Sequence, residues 1–270
     1  MNTTNPESRI PNPGASTRNR TALATIVRRE VQRILRIWAQ TLVPPAITMT
    51  LYFLIFGNLI GSRVGEMGGY SYMQFIVPGL VMMSVIQNSY GNISSSFFGA
   101  KFGRHVEELL VSPMPNWVIL WGYVTGAVAR GVMVGAIVLV IAMFFTPVRV
   151  PHPLVTLTTV LLGATIFSLA GFINAVYARK FDDVAIVPTF ILTPLTYLGG
   201  VFYSVKLLPG WAEAATHANP IFYMVNAFRY GLLGSSDVPL WVAYTLMLGF
   251  VAVLSALALW LLRRGVGLRS

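Results

Sequence analysis

Two acidic pairs, Glu107-Glu108 and Asp182-Asp183, and one arginine inside an apolar run, Arg130, are the residues whose types and spacing could do chemistry. Paired carboxylates or histidines near one face would serve a membrane-embedded enzyme acting on lipid-linked substrates, and no such grouping is evident. His105, His152 and His217 are scattered over different loops and form no zincin spacing. Cysteine is absent, which removes disulfides, thiolate metal sites and cysteine nucleophiles. Glycine is nowhere followed by lysine, so the phosphate-cradling G-x-x-x-x-G-K-[ST] loop is missing and any ATP must be bound by another chain. No nucleophile elbow or dinucleotide fingerprint occurs. Catalytic, cofactor and metal residues are therefore expected to be none, and the charged residues offer electrostatic and mechanical work instead.

The elements that position them are built for lipid. Hydrophobic residues make up 55% and charged residues 10% of the 270, with a mean hydropathy of +0.68. Soluble domains run at roughly 45–50% apolar and about 25% charged. Spans of about 20 residues, each crossing a hydrocarbon core of about 30 Å, use most of the length and leave one domain. The formal charge of +10 would suit nucleic acid, but the basic residues lie beside apolar runs and mark topology. Six spans are expected in an all-α membrane protein, at about 42–60, 75–96, 117–145, 154–177, 184–203 and 240–262. Fourteen Lys and Arg fall on the side of the termini, against Arg63, Arg149, Lys206 and Arg229 opposite, so both termini are expected in the cytoplasm.

Residues 1–20, rich in Asn, Pro, Ser, Thr and Arg, predict a disordered cytoplasmic tail. From Thr21 to Gln40, Ile26, Val27, Val31, Ile34, Leu35 and Trp38 recur at helical spacing, with Arg28, Arg29, Arg33 and Arg36 largely between them. Such a helix lies along a membrane surface, either as a basic anchor or as a partner contact. Lys101 to Pro115 reads KFGRHVEELLVSPMP, in which Val106, Leu109 and Leu110 share one face of a short helix that Pro113 and Pro115 stop. That helix either transmits a push from a partner to the spans on both sides or is a polar turn that joins them.

From Asp182 to Tyr230 an apolar helix is expected to break at Pro194 and Gly199-Gly200, and an aromatic, Pro-punctuated stretch follows. Broken backbone at that depth is tolerated only when covered by protein or facing water. Arg130, near the middle of the third span, costs at least about 2.5–3.5 kcal/mol on insertion scales, so it should face the bundle interior or a watery path. It either bonds carbonyls freed by the broken fifth helix or contacts cargo. Gly131 and Gly135 beside it suit close packing within the subunit. Asp182 and Asp183 favour the dipole of the fifth span, with a contact to Arg33 or Arg36 as the alternative. Gln87, Asn88, Asn92 and Asn174 read as interhelical glue ahead of pathway lining. Tyr70, Tyr72, Tyr203, Trp211, Tyr223, Tyr230 and Trp241 read as an outer aromatic belt.

EELLVSPMP, RIWAQTLVPPAITMTLYFLIFGNLIG, SYMQFIVPGLVMMSV, FDDVAIVPTFILTPLTYLGGVFYS and NPIFYMVNAFRYG together resemble the ABC-2 type permeases, the integral-membrane subunits of bacterial ATP-binding-cassette exporters. The similarity is greatest to the YadH-type permeases and runs from about Arg33 onward. It implies a transmembrane domain over 21–270 in the bacterial inner membrane, and a pathway formed by two copies of the permease. It also implies two copies of a separate ATPase beneath, holding ATP and Mg. By motif, the coupling helix would be Gly103 to Ser112, centred on Glu107, Glu108, Leu109 and Leu110, and Ala24 to Ala39 would be the interface helix with Arg28, Arg29, Arg33 and Arg36. A re-entrant hairpin between spans five and six, from Leu208 to Arg229 and bent at Pro209, Asn219 and Pro220, would cap the outer side. Pro194, Gly199, Gly200, Asn219, Pro220 and Arg130 would be pathway or structural residues. A self-sufficient secondary transporter or channel is the alternative, though it lacks the intramembrane carboxylates a coupler usually shows.

Overall fold

The computed structural model describes residues 14–112, 114–205 and 208–267. Helix α1 (Ala15–Arg36) begins six residues before Thr21, so segment 15–20, expected in the disordered tail, is helical. Once the apolar stripe docks, a helix extends N-terminally at little cost, here through Arg18 N donating to the Gly14 carbonyl at 3.2 Å and Thr21 Oγ1 to the Thr17 carbonyl at 3.0 Å. Residues 1–13 of that tail, and Lys206 of the outer loops, lie outside the described residues.

The chain turns at Ile37 into an apolar run from Trp38 to Val64, composed of α2 (Trp38–Thr41), α3 (Val43–Tyr52), a π-helical stretch (Phe53–Ile60) and α4 (Gly61–Val64). A two-residue hairpin, β1 (Glu66–Met67) and β2 (Tyr70–Ser71), turns through Gly68 and Gly69 at φ 61° and 80°. Positive φ at both turn positions is the geometry that favours glycine there. Ser71 and Gln74 then form a reciprocal capping box that starts α5 (Tyr72–Phe102). The short α6 (His105–Val111) follows, then α7 (Asn116–Met143), α8 (Pro153–Tyr177), α9 (Phe181–Val187), a π-helical stretch (Pro188–Leu192) and α10 (Thr193–Tyr197). The last helices are α11 (Gly210–His217), α12 (Pro220–Leu233) and α13 (Leu240–Arg264).

Helix α5 is the centre, buried between α7 and α8. A Cβ on Gly131 would lie 1.9 Å from Ser89 Oγ and one on Gly135 2.6 Å from a Val85 methyl, so the glycines of α7 do let it approach α5. One apolar cluster gathers at the end near α12, and a second, with Ile26, Phe97, Phe98, Val106, Val118 and Leu261, at the opposite end, here called the terminal end, where α1 and the last turns of α13 lie.

Among the described residues, four helices are long and apolar enough to cross a membrane: Trp38–Val64, α7, α8 and α13. These answer four of the six expected spans within a few residues. Helix α5, about 46 Å long at 1.5 Å per residue, carries Ser84, Gln87, Asn88, Ser89, Asn92 and Ser94 to Ser96, which lower its hydropathy. A helix enclosed by other helices can carry such groups because protein, and not lipid, answers them.

The fifth expected span, 184–203, is helical only to Tyr197. Pro194 does not break it. Pro188 and Pro194 both lack an N–H, and the chain absorbs them by widening into the π-helical stretch, with Thr193 Oγ1 donating to the Pro188 carbonyl at 2.8 Å. The break falls after Leu198, at Gly199 and Gly200, where Gly200 takes φ +72°.

Candidate functional site

Polar side chains fasten segments of the chain to the bundle at two places. At the terminal end, α1 lies across α7 and α5. Ile26, Glu30 and Ile34, spaced four apart, form its buried stripe, and a Cβ on Gly122 or Gly126 would sit 2.6 Å from Ile26 or 2.4 Å from Glu30. Glu30 is only 1% exposed. Its Oε2 accepts from Arg33 Nη2 at 3.0 Å and from Ser96 Oγ at 2.7 Å, and its Oε1 lies 4.0 Å from Arg29 Nη2. Arg33 Nη2 also donates to Asn92 Oδ1 at 2.9 Å, and Arg29 Nη2 to the Tyr123 hydroxyl at 3.0 Å. Burial of a carboxylate is tolerated because two guanidiniums and a hydroxyl answer it.

One turn deeper along α5, Asn88 Oδ1 accepts from Arg130 Nη2 at 3.2 Å, and the same nitrogen reaches the Thr41 carbonyl at 3.4 Å. Arg130 thus bonds backbone at the break between α2 and α3. Of the two expected roles, cargo contact or bonding to carbonyls of the broken fifth helix, the second has a different partner: the face of α7 that carries Arg130 looks toward α5 and the start of the first apolar run. Asn88 and Asn92 act as interhelical glue, as does Asn174, whose Nδ2 donates to the Val184 carbonyl at 3.1 Å.

Helix α6 covers most of the expected 103–112 segment. Gly103 and Arg104 form the turn before it, and Arg104 takes φ 60°, the one positive φ outside glycine among the described residues. Val106 is 1% exposed and joins the terminal-end core, Glu107, Leu109 and Leu110 are half-buried, and Glu108 and Val111 face outward. Beside α6, Lys101 Nζ donates to the Val176 and Ala178 carbonyls at 2.6 and 2.7 Å, closing the end of α8. Burial, with Arg179 adding repulsion, lowers the Lys101 pKa. Asp183 Oδ2 accepts from the Arg179 and Lys180 N–H groups at 2.8 and 3.0 Å, which lowers the carboxyl pKa and caps α9. Asp183 is thus placed at its own helix start, while Arg33 is paired with Glu30.

At the hairpin end, Asn219 caps α12 through Oδ1, which accepts from Ile221 N at 3.0 Å, with Pro220 in the first turn. Its Nδ2 donates to the Leu195 carbonyl of α10 at 2.6 Å. Arg229, 3% exposed, donates from Nη2 to the Gly200 carbonyl at 2.8 Å and lies 4.0 Å over the Phe75 ring. The Tyr72 hydroxyl donates to the Phe202 carbonyl at 3.2 Å, and a Cβ on Gly79 would meet Val201 backbone at 2.7 Å. Pro194, Gly199, Gly200, Asn219 and Pro220 thus belong to one junction between α10, α12 and α5. Of the expected aromatic belt, Trp211 and Trp241 are exposed at 80% and 72%, whereas Tyr72 is buried and bonded.

Glu30 and Arg229 were missed as site residues. Glu30 had a signal: it is the acidic residue of a basic helix, four from Ile26 and four from Ile34, where the stripe demands an apolar side chain. Arg229 was read as an outer-loop charge, and its burial has no local signature.

The profile of the ABC-2 type transporter family matches residues 21–233. The chain is 57% identical over 249 residues to the inner membrane transport permease YadH of Escherichia coli strain K12, covering 92% of this chain and 97% of that protein. It is 24% identical over 185 residues to nodulation protein J of Sinorhizobium fredii, covering 68% of this chain and 70% of the relative. A helical bundle organised around α5, with several helices long and apolar enough to cross a membrane and matched in sequence over most of its length, is a transport permease, and the chain belongs to the ABC-2 type transporter family.

Proposed function

We propose that this chain is the membrane subunit of an ATP-binding-cassette exporter in the bacterial inner membrane, paired with a second copy of itself and driven by two copies of a separate ATPase. The observation that carries the reading is the seating of α6. Val106 shares a core with Ile26 of α1, Phe97 and Phe98 of α5 and Val118 of α7, so force on the exposed face of α6 reaches both long helices and the surface helix together. The left-handed Arg104 at its start stores local strain of about 1–2 kcal/mol, the kind found at moving parts. Glu108 and Val111 of α6, with Arg28 of α1, supply an outward face for the ATPase.

In this reading the terminal end is cytoplasmic, 75–96 of α5 is the second span, and 184–197 is the fifth. The α11–α12 hairpin re-enters and covers the outer side, since α12 is buried against α5, α8 and α13. The first and fifth spans are the least enclosed, with Ile47, Leu51, Leu59, Phe190 and Ile191 exposed, and these are the surfaces available to the second copy and to lipid. ATP and Mg belong to the partner. The test is affinity purification through a tag on this chain, co-expressed with its genomically neighbouring ATPase, for wild type and for Leu109→Asp/Val111→Asp. The ATPase should co-purify with wild type and be lost from the double variant; this chain purified alone in both cases would refute the assignment.

A further inference from the structure

Between α1 and the last turns of α5 lies an open cavity of about 530 Å³, lined by Arg29, Arg33, Arg36, Glu30, Ser96 and His105, among others. We propose that this cavity binds the phosphate headgroup of an anionic lipid from the leaflet at the terminal end. Three guanidiniums line it against one carboxylate, and that carboxylate is 1% exposed and already occupied by Arg33 and Ser96. The cavity therefore presents positive charge to its opening.

Position selects lipid as the source of the phosphate. Arg36 and Ile37, both on the wall, lie directly before Trp38, where the first apolar run begins. Leu35 and Trp38 on either side of them are 53% and 58% exposed. A cationic hollow whose wall residues Arg36 and Ile37 are flanked in the chain by an exposed leucine and tryptophan, next to the start of an apolar run, matches the headgroup layer: aromatic and aliphatic groups enter the acyl boundary while arginines meet phosphate. Gly99 and Ala100 on the α5 wall leave room for a headgroup, with nothing within 4 Å of a Cβ placed on Gly99. The proposal does not depend on an ATPase docking at α6.

The test is native mass spectrometry of the full chain, released from detergent and titrated with phosphatidylglycerol, phosphatidylcholine or inorganic phosphate. Wild type should retain phosphatidylglycerol in preference to phosphatidylcholine. Arg29→Gln/Arg36→Gln should weaken that retention about 30-fold, and Arg36→Gln alone, which leaves the Arg29–Tyr123 contact in place, about 5-fold. Arg28→Gln, on the same helix but off the cavity wall, should leave it unchanged. Equal loss in Arg28→Gln would reduce the effect to general surface charge and overturn the site. Equal retention of both lipids, or displacement of lipid by millimolar inorganic phosphate, would overturn the lipid assignment. So would unchanged lipid binding in the double variant with loss of a co-expressed ATPase, because the cavity would then belong to a protein partner.

Discussion

The terminal-end dock and the hairpin-end junction each fasten a segment of chain to the helical bundle, a regular helix at one and a broken helix at the other, with different chemistry. At the dock the bonds run between side chains: Glu30 to Arg33 and Ser96, Arg33 to Asn92, Arg29 to Tyr123. At the junction they run from side chains to carbonyls: Asn219 to Leu195, Arg229 to Gly200, Tyr72 to Phe202. Carbonyls freed by a helix break inside lipid have no water to turn to, so a donor that answers them fixes one backbone shape. Side-chain pairs have alternative partners within reach and suit a joint that moves. In the proposed exporter, that difference would make the dock the movable end and the junction the rigid one.

Breaking either end tests that contrast. The largest effect is expected from Glu30→Ala, which leaves Arg33 facing the bundle without its carboxylate; loss of one partner of a buried pair costs about 3–5 kcal/mol, and Arg33, 34% exposed, recovers some hydration and brings the loss to the lower end of that range. Thermal unfolding in detergent measures it, and a variant as stable as wild type would mean that the dock is no joint at all. Arg229→Met, which orphans the Gly200 carbonyl, should cost about 1–3 kcal/mol, and protease cutting should rise near Gly200 while α1 stays docked. Gly79→Ala presses on Val201 backbone and should cost about 1–3 kcal/mol; a silent substitution there would show that the junction yields. Asn219→Ala removes a helix cap for about 1 kcal/mol, read as faster hydrogen exchange at the start of α12.

The smallest effect is a pH dependence. The folded Asp183 pKa lies below its unfolded value, so its contribution is present above the ordinary carboxylate pKa and is lost as pH falls through the lowered folded value. The difference in melting temperature between wild type and Asp183→Asn should therefore shrink on going from neutral pH to about pH 3.

Much of this was legible because a bilayer imposes length and composition. The third, fourth and sixth spans fell within about two residues of α7, α8 and α13, since unbroken apolar runs leave no alternative. The late block was recognised as broken, but the position was wrong at Pro194, because a π-helical widening that absorbs two prolines leaves no mark in hydropathy. The stripe of α1 was visible, with its arginines largely between the stripe residues, but not that Arg33 pairs with buried Glu30 while Arg29, still mostly exposed, reaches the Tyr123 hydroxyl. Periodicity finds which face is buried; it does not reveal that one carboxylate on that face can draw neighbouring cations in.

The most direct test of the account is ATP hydrolysis by the permease and its ATPase partner reconstituted together in liposomes, with wild-type Glu107-Glu108 and with Glu107→Ala/Glu108→Ala. Coupling through α6 predicts hydrolysis by wild type that responds to the permease and is lost or uncoupled in the double variant while the complex stays assembled. Hydrolysis identical in both, or a purified chain that never engages an ATPase, would contradict it.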